Sequence, residues 1–288
     1  MLIRGIEMKI GIFYFSATGN TADLAKVMKS TLEKKHHIVE LRKLEEGWFK
    51  NYNDFDFFIF GAPKHCEYMP LFFLNWLKQN VSKCDKSIEA AVFINGGSSI
   101  KAGFKKIINI LKPKNINVKA SKTIKMTNNF FLPPFDKFDG GDATVNCKAA
   151  EKVAEEFAMD ISNGKMELEK AKFAMEKICR YTSYVYGKST KKMARKFSTS
   201  SKCNKCGTCV RSCPENNIAI KDGKIVFGDN CVVCARCLNI CPMNAILYKG
   251  KEVKQYRLKI KEIWYDYKIE AVTKYCFVAA FFIGEGEQ

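Results

Sequence analysis

Cysteines carry the first chemical signal. The chain contains Cys203-x2-Cys206-x2-Cys209-x3-Cys213-Pro214 and repeats that spacing as Cys231-x2-Cys234-x2-Cys237-x3-Cys241-Pro242. Three thiolates within seven residues wrap one face of a cubane iron–sulfur cluster, and the cysteine before the proline reaches across to complete its neighbour. The spacing therefore predicts two [4Fe–4S] clusters. One takes Cys203, Cys206, Cys209 and Cys241; the other takes Cys231, Cys234, Cys237 and Cys213. Each passes one electron at a time. A structural zinc site would show CxxC pairs across a long gap, and disulfides would need an oxidising compartment.

A second set of residues could hold a planar anionic ligand. Ser16-Ala17-Thr18-Gly19-Asn20-Thr21 follows an apolar run and precedes a helical pattern. A loop so placed offers backbone N–H groups and a helix N-terminus to an anion, and here neutral donors alone would hold it. The loop lacks the Gly-Lys-Ser/Thr ending of a P-loop and the G-x-G-x-x-G of a dinucleotide site. A plain βα turn with a threonine N-cap is the alternative. Two further loops are Gly61-Ala62-Pro63-Lys64-His65-Cys66-Glu67-Tyr68-Met69-Pro70 and Asn95-Gly96-Gly97-Ser98-Ser99, whose glycines let backbone approach a ligand closely.

The elements that would position these loops read as strands alternating with helices. Strands are expected over 9–15, 37–41, 55–60, 88–94 and 118–126. Helices are expected over 21–34, 70–79, 100–111, 142–162 and, lysine-rich, 166–195. Alternation implies βαβ units, and so an α/β fold with a doubly wound five-stranded parallel sheet. Ligands of such sheets bind beyond the carboxyl ends of the strands, where all three loops fall.

Two resemblances follow from these motifs. The segment from Cys203 to about Tyr248 resembles the bacterial two-cluster ferredoxins, a small α+β unit. The short runs at Ile218 and Ala245 should form hairpins over its core. Residues from about Lys9 to Gly164 resemble flavodoxins, through Ser-x-Thr-Gly-Asn-Thr after the first strand. That resemblance implies FMN. Ser16, Thr18, Gly19, Asn20 and Thr21 would hold its phosphate, and Pro63, Lys64, His65, Asn95 and Gly96 would border its ring. His65 stands where many relatives have tyrosine, with Tyr68 as the alternative stacking group, and Lys64 would favour an anionic reduced flavin. The whole resembles flavodoxin-like/ferredoxin fusion proteins of anaerobic bacteria and archaea.

The implied division is an FMN domain over 8–164, a basic connector over 165–201, a 2[4Fe–4S] domain over 202–248 and a tail over 249–288 with no visible site chemistry. The connector is either a brace across both domains or a loose tether. The net charge is +18, and residues 164–202 hold 11 Lys+Arg against 3 acids. That excess reads as a solvated surface, with steering of acidic redox partner proteins as a further use. Nucleic-acid binding is not expected, and a homodimer joining flavin to clusters stays open. Thirteen cysteines without a signal segment suggest a cytoplasmic location. Five lie outside the motifs: Cys66, beside the expected ring, and Cys84, Cys147, Cys179 and Cys276. No run reaches the roughly 18 apolar residues of a membrane span, Tyr275–Ile283 included. The expected function is electron relay between FMN and two clusters, with no catalytic residue named. An FMN-dependent reductase fed by the clusters and a redox-sensing nucleic-acid binder are the alternatives.

Overall fold

A computed structural model of the protein describes residues 7–133 and 143–256. The tail beyond Tyr256, with Cys276 and the 275–283 run, lies outside these residues. Five strands, β1 (Lys9–Tyr14), β2 (Ile38–Lys43), β3 (Phe57–Pro63), β4 (Ile88–Gly96) and β5 (Ile116–Lys125), form one sheet. Its order is β2-β1-β3-β4-β5, and every neighbouring pair is parallel. This is the flavodoxin-like doubly wound order, with its switch point between β1 and β3.

Strand periodicity explains the two cores. Ile10, Ile12, Phe57 and Ile59 face α1 (Asn20–Glu33) and α4 (Ala143–Ser162). Phe13, Phe15, Phe58 and Phe60 face α2 (Leu71–Asn80) and α3 (Phe104–Leu111). Central β3 and β4 are buried on both sides, as near-continuous apolar runs require. A Cβ at Gly61 would lie 2.2 Å from Cζ of Phe93. Glycine at the head of the second loop is therefore a packing requirement.

Two helix starts differ from expectation. The helix expected over 100–111 begins at Phe104, after Gly103 turns left-handed at φ 101°. The helix expected from Met166 begins at Phe173, as α5 (Phe173–Ala194). The residues before α5 stay extended because they cap the open edge of β5. The Ser121 amide donates to the Glu167 carbonyl at 2.8 Å, and the Thr123 amide donates to the Glu169 carboxylate at 2.8 Å. Covering that edge removes a row of unpaired backbone groups.

The remaining chain is small and irregular. β6 (Phe197–Thr199), β9 (Ile246–Tyr248) and β10 (Lys251–Glu252) make one sheet, and β7 (Ile218–Lys221) pairs with β8 (Lys224–Phe227). Short helices α6 (Thr208–Arg211) and α7 (Arg236–Ile240) carry the third cysteine of each motif. The end of the connector, at Phe197–Thr199, is thus strand β6, paired to β9. Among the described residues no helix is long and apolar enough to cross a membrane.

Candidate functional site

The eight motif cysteines line two cavities. One is bordered by Cys203, Cys206, Cys209 and Cys241. The other is bordered by Cys213, Cys231, Cys234 and Cys237. Each cavity is thus bordered by three thiols of one motif and the fourth of the other. Among the described residues no group of three His, Cys, Asp or Glu could hold a single metal ion.

Backbone geometry repeats with the motif, at an offset of 28 residues. Lys205 and Val233 are left-handed, as are Gly207 and Ala235, and Asn216 and Asn244. Left-handed Asn216 and Asn244 each precede an amide that points at sulfur, and left-handed Val233 itself presents one. The Asn217 and Ala245 amides donate to the Cys213 and Cys241 sulfurs, each at 3.3 Å. The Val233 amide does the same for Cys231 at 3.3 Å. Such bonds stabilise thiolate charge and help set a cluster's potential. Burial pushes the Cys209 thiol up to about 11 and the Cys234 thiol up to about 12. Loading iron therefore releases protons. The donor set, the crossing and the amide directions fit cubane clusters.

The three sheet loops also meet. Ser16, Thr18, Asn20 and Thr21 are all buried, and Gly19, left-handed at φ 99°, caps α1. The Ser16 hydroxyl accepts from the Ala22 amide at 3.1 Å. The Thr18 hydroxyl accepts from the Asn129 amide group. Each hydroxyl, being donor and acceptor at once, keeps its own O–H for an anion. Together with the α1 N-terminus, this loop fits a phosphate. Thr21 behaves differently from expectation: its hydroxyl donates to the Asn95 side chain at 2.8 Å. Thr21 and Asn95 thereby clamp the first loop to the third.

The second loop turns back sharply. His65 and Tyr68 pair across Cys66 and Glu67, which are left-handed at φ 50° and 61°. Lys64, expected beside a ring, is engaged by its own loops. Its ammonium donates to the carbonyls of Ser98 (3.0 Å) and Ile100 (2.6 Å) and pairs with Glu67 at 3.3 Å. It is a brace between the second and third loops, and a Cβ at Gly96 would press on its side chain at 3.0 Å. Pro63 begins the loop at the end of β3, opposite Asn95 in register.

His65 packs 6.0 Å from the Phe72 ring and 5.9 Å, edge-on, from Tyr186 of α5. Burial pulls its pKa down to about 4. The unfolded chain therefore takes up a proton below pH 6.5 that the folded chain refuses, and stability falls as pH drops from about 6.5 towards 4. The ring keeps some solvent exposure, so the loss between pH 6.5 and 5 is at most about 2 kcal/mol. Unfolding of the wild type and of His65→Phe at pH 7 and pH 5 checks this. Equal losses in both proteins would refute the role of His65.

Three side chains tie the loops to the cluster region. Arg236, with its side chain 3% exposed, donates to the Ser16 carbonyl at 2.7 Å and the Ser212 carbonyl at 2.9 Å. It also pairs with Glu45 and lies 5.2 Å over the Phe15 ring. Tyr186 donates to the Val233 carbonyl at 3.3 Å while touching His65. Tyr256 donates to the Asn20 side chain at 2.8 Å, so the stretch read as lacking site chemistry begins on the first loop. Cys234 itself packs against the apolar core on the α2 side of the sheet. Sequence reasoning missed all three residues. A readable signal existed for one: the motif repeat aligns Arg236 with Thr208, and at that position only the second copy carries a long cation.

Residues 202–246 match the 4Fe-4S dicluster domain family, Fer4_9. No curated protein matches the chain. Several solved structures share the sheet region. A flavodoxin from the domain Archaea is 15% identical, with 54% of this chain and 99% of that one covered and a TM-score of 0.39. Flavodoxin 2 from Bacillus cereus is 21% identical, covering 53% of this chain and 99% of its own, at a TM-score of 0.37. A Fusobacterium nucleatum flavodoxin bound to flavin mononucleotide is 14% identical, covering 53% and 98%, at 0.36. The dicluster match and the two thiol cavities define an iron–sulfur protein with an electron-transfer or redox role. In this chain the dicluster region is joined to a flavodoxin-like sheet.

Proposed function

We propose that the protein relays electrons within one chain between FMN, held by the loops after β1, β3 and β4, and two [4Fe–4S] clusters. The observation that carries this reading is Arg236. It lies two residues beyond the cluster ligand Cys234, and its guanidinium bonds the carbonyl of Ser16 in the phosphate loop. One buried side chain thus spans both sites. Bound flavin exchanges one or two electrons, whereas each cluster exchanges one, so the pair converts between two-electron and one-electron chemistry. The protein's part is positioning. Ser16, Thr18, Gly19 and Asn20 hold phosphate, Thr21 and Asn95 lock the loops, and Pro63, His65 and Gly96 border the ring.

A substrate-reducing flavoenzyme would need a proton donor at the ring. His65 is held neutral by burial, and the Tyr68 hydroxyl is spent on Glu176 at 3.1 Å. Neither supports that alternative. Anaerobically reconstituted protein should hold about eight iron atoms and one FMN. After a pulse of one-electron reductant, flavin and clusters should equilibrate at a rate independent of protein concentration. A rate proportional to concentration, or chain-bound iron without flavin, would overturn the relay.

A further inference from the structure

The solvent face of α5 is built unlike a solvated helix. Its inner stripe, Glu176, Cys179, Ser183 and Tyr186, is turned to the second loop, α2 and the cluster region. The outer stripe is apolar at helical spacing: Ile178 is 56% exposed, Tyr181 68% and Val185 47%. Phe173 and Tyr184 flank it, 73% and 54% exposed. Lysines sit on these rings, Lys177 4.4 Å from the Phe173 centroid and Lys188 5.6 Å from that of Tyr184. The only acid in α5, Glu176, is committed to Tyr68 and the Gly103 amide. Contiguous exposed apolar surface rimmed by one sign of charge marks an interaction site.

We infer that this face docks an acidic electron-carrier protein. Charge chooses the occupant. A second copy would set Lys177, Arg180, Lys188 and Lys192 against their own duplicates, which costs binding energy. Residues 257–288 of the chain hold five Lys+Arg and five acids and so offer no net negative charge to its lysines. Position supports the choice as well. The opposite side of the same helix touches His65 of the second loop and Val233 of the cluster region, both through Tyr186. A carrier seated on α5 is therefore one helix away from both centres. Such docking presupposes the relay proposed above.

The test uses the full-length reconstituted protein and a small acidic [2Fe–2S] ferredoxin, with a zwitterionic viologen as uncharged control. Exchange with the ferredoxin should slow as salt rises. At low salt it should fall about tenfold or more in Lys177→Glu/Lys188→Glu/Lys192→Glu. Ile178→Ser/Tyr181→Ser should slow it without changing the salt slope. Viologen exchange and intramolecular equilibration should be unchanged in both variants. Ferredoxin rates indifferent to both sets of changes would overturn the docking site. So would a dimer, seen by sedimentation, that Ile178→Ser/Tyr181→Ser dissolves. Binding to phosphatidylserine vesicles that the triple variant loses, with ferredoxin exchange unaltered, would overturn it in favour of a membrane. Failure of the relay itself would appear separately, as absent equilibration after viologen reduction.

Discussion

Cys241→Ala is expected to remove the cluster of the first motif, not that of its own, lowering iron from about eight to about four atoms per chain. Cys241 lines the cavity with Cys203, Cys206 and Cys209, and its sulfur accepts from the Ala245 amide. Among the described residues no other cysteine lines that cavity to replace it. The effect should extend to folding. The core of this region includes motif cysteines, with Cys203, Cys209, Cys231 and Cys237 packed against Leu238, Ile246 and Tyr248. A unit this small depends on its inorganic staples. Iron analysis and low-temperature paramagnetic spectra check the outcome. Cys241→Ala should leave the same residual spectrum as Cys203→Ala, and Cys213→Ala the same as Cys231→Ala. If Cys241→Ala instead matches Cys231→Ala, the ligands are local to each motif and the crossing is wrong.

Arg236→Met should loosen the join between the two sites. The substitution keeps the bulk and removes the charge. Glu45 is left stranded, and the carbonyls of Ser16 and Ser212 lose their donor. Breaking a buried pair costs about 3–5 kcal/mol, with the lower end apt here because Glu45 is partly exposed. Because the Ser16 carbonyl belongs to the loop proposed to hold phosphate, FMN should also dissociate more readily, by about tenfold for each 1.4 kcal/mol lost there. Melting followed at flavin and cluster absorption, with FMN titration, measures both effects. Adding Glu45→Gln should recover part of the stability, since the stranded charge is then gone. A variant that melts and binds FMN like the wild type would show that Arg236 holds nothing together.

The βα alternation was legible because each strand is a short β-rich run and each helix keeps an apolar stripe. Both patterns are local, and the five strands appear where expected. Boundaries were less legible where distant groups intervene. The start of α5 is delayed because residues 167–169 find better partners on the edge of β5, which no local pattern announces. Lys64 reads as a free cation beside a ligand until the Ser98 and Ile100 carbonyls are folded over it.

The repeated thiol spacing and the polar loop after the first strand could be read from the chain alone, because such patterns are encoded within a few residues. How the two regions meet could not. The contacts of Arg236 with Ser16, Tyr186 with Val233 and Tyr256 with Asn20 span up to 236 residues of chain. Contacts at that separation depend on the packing of every intervening element, and periodicity carries no record of them.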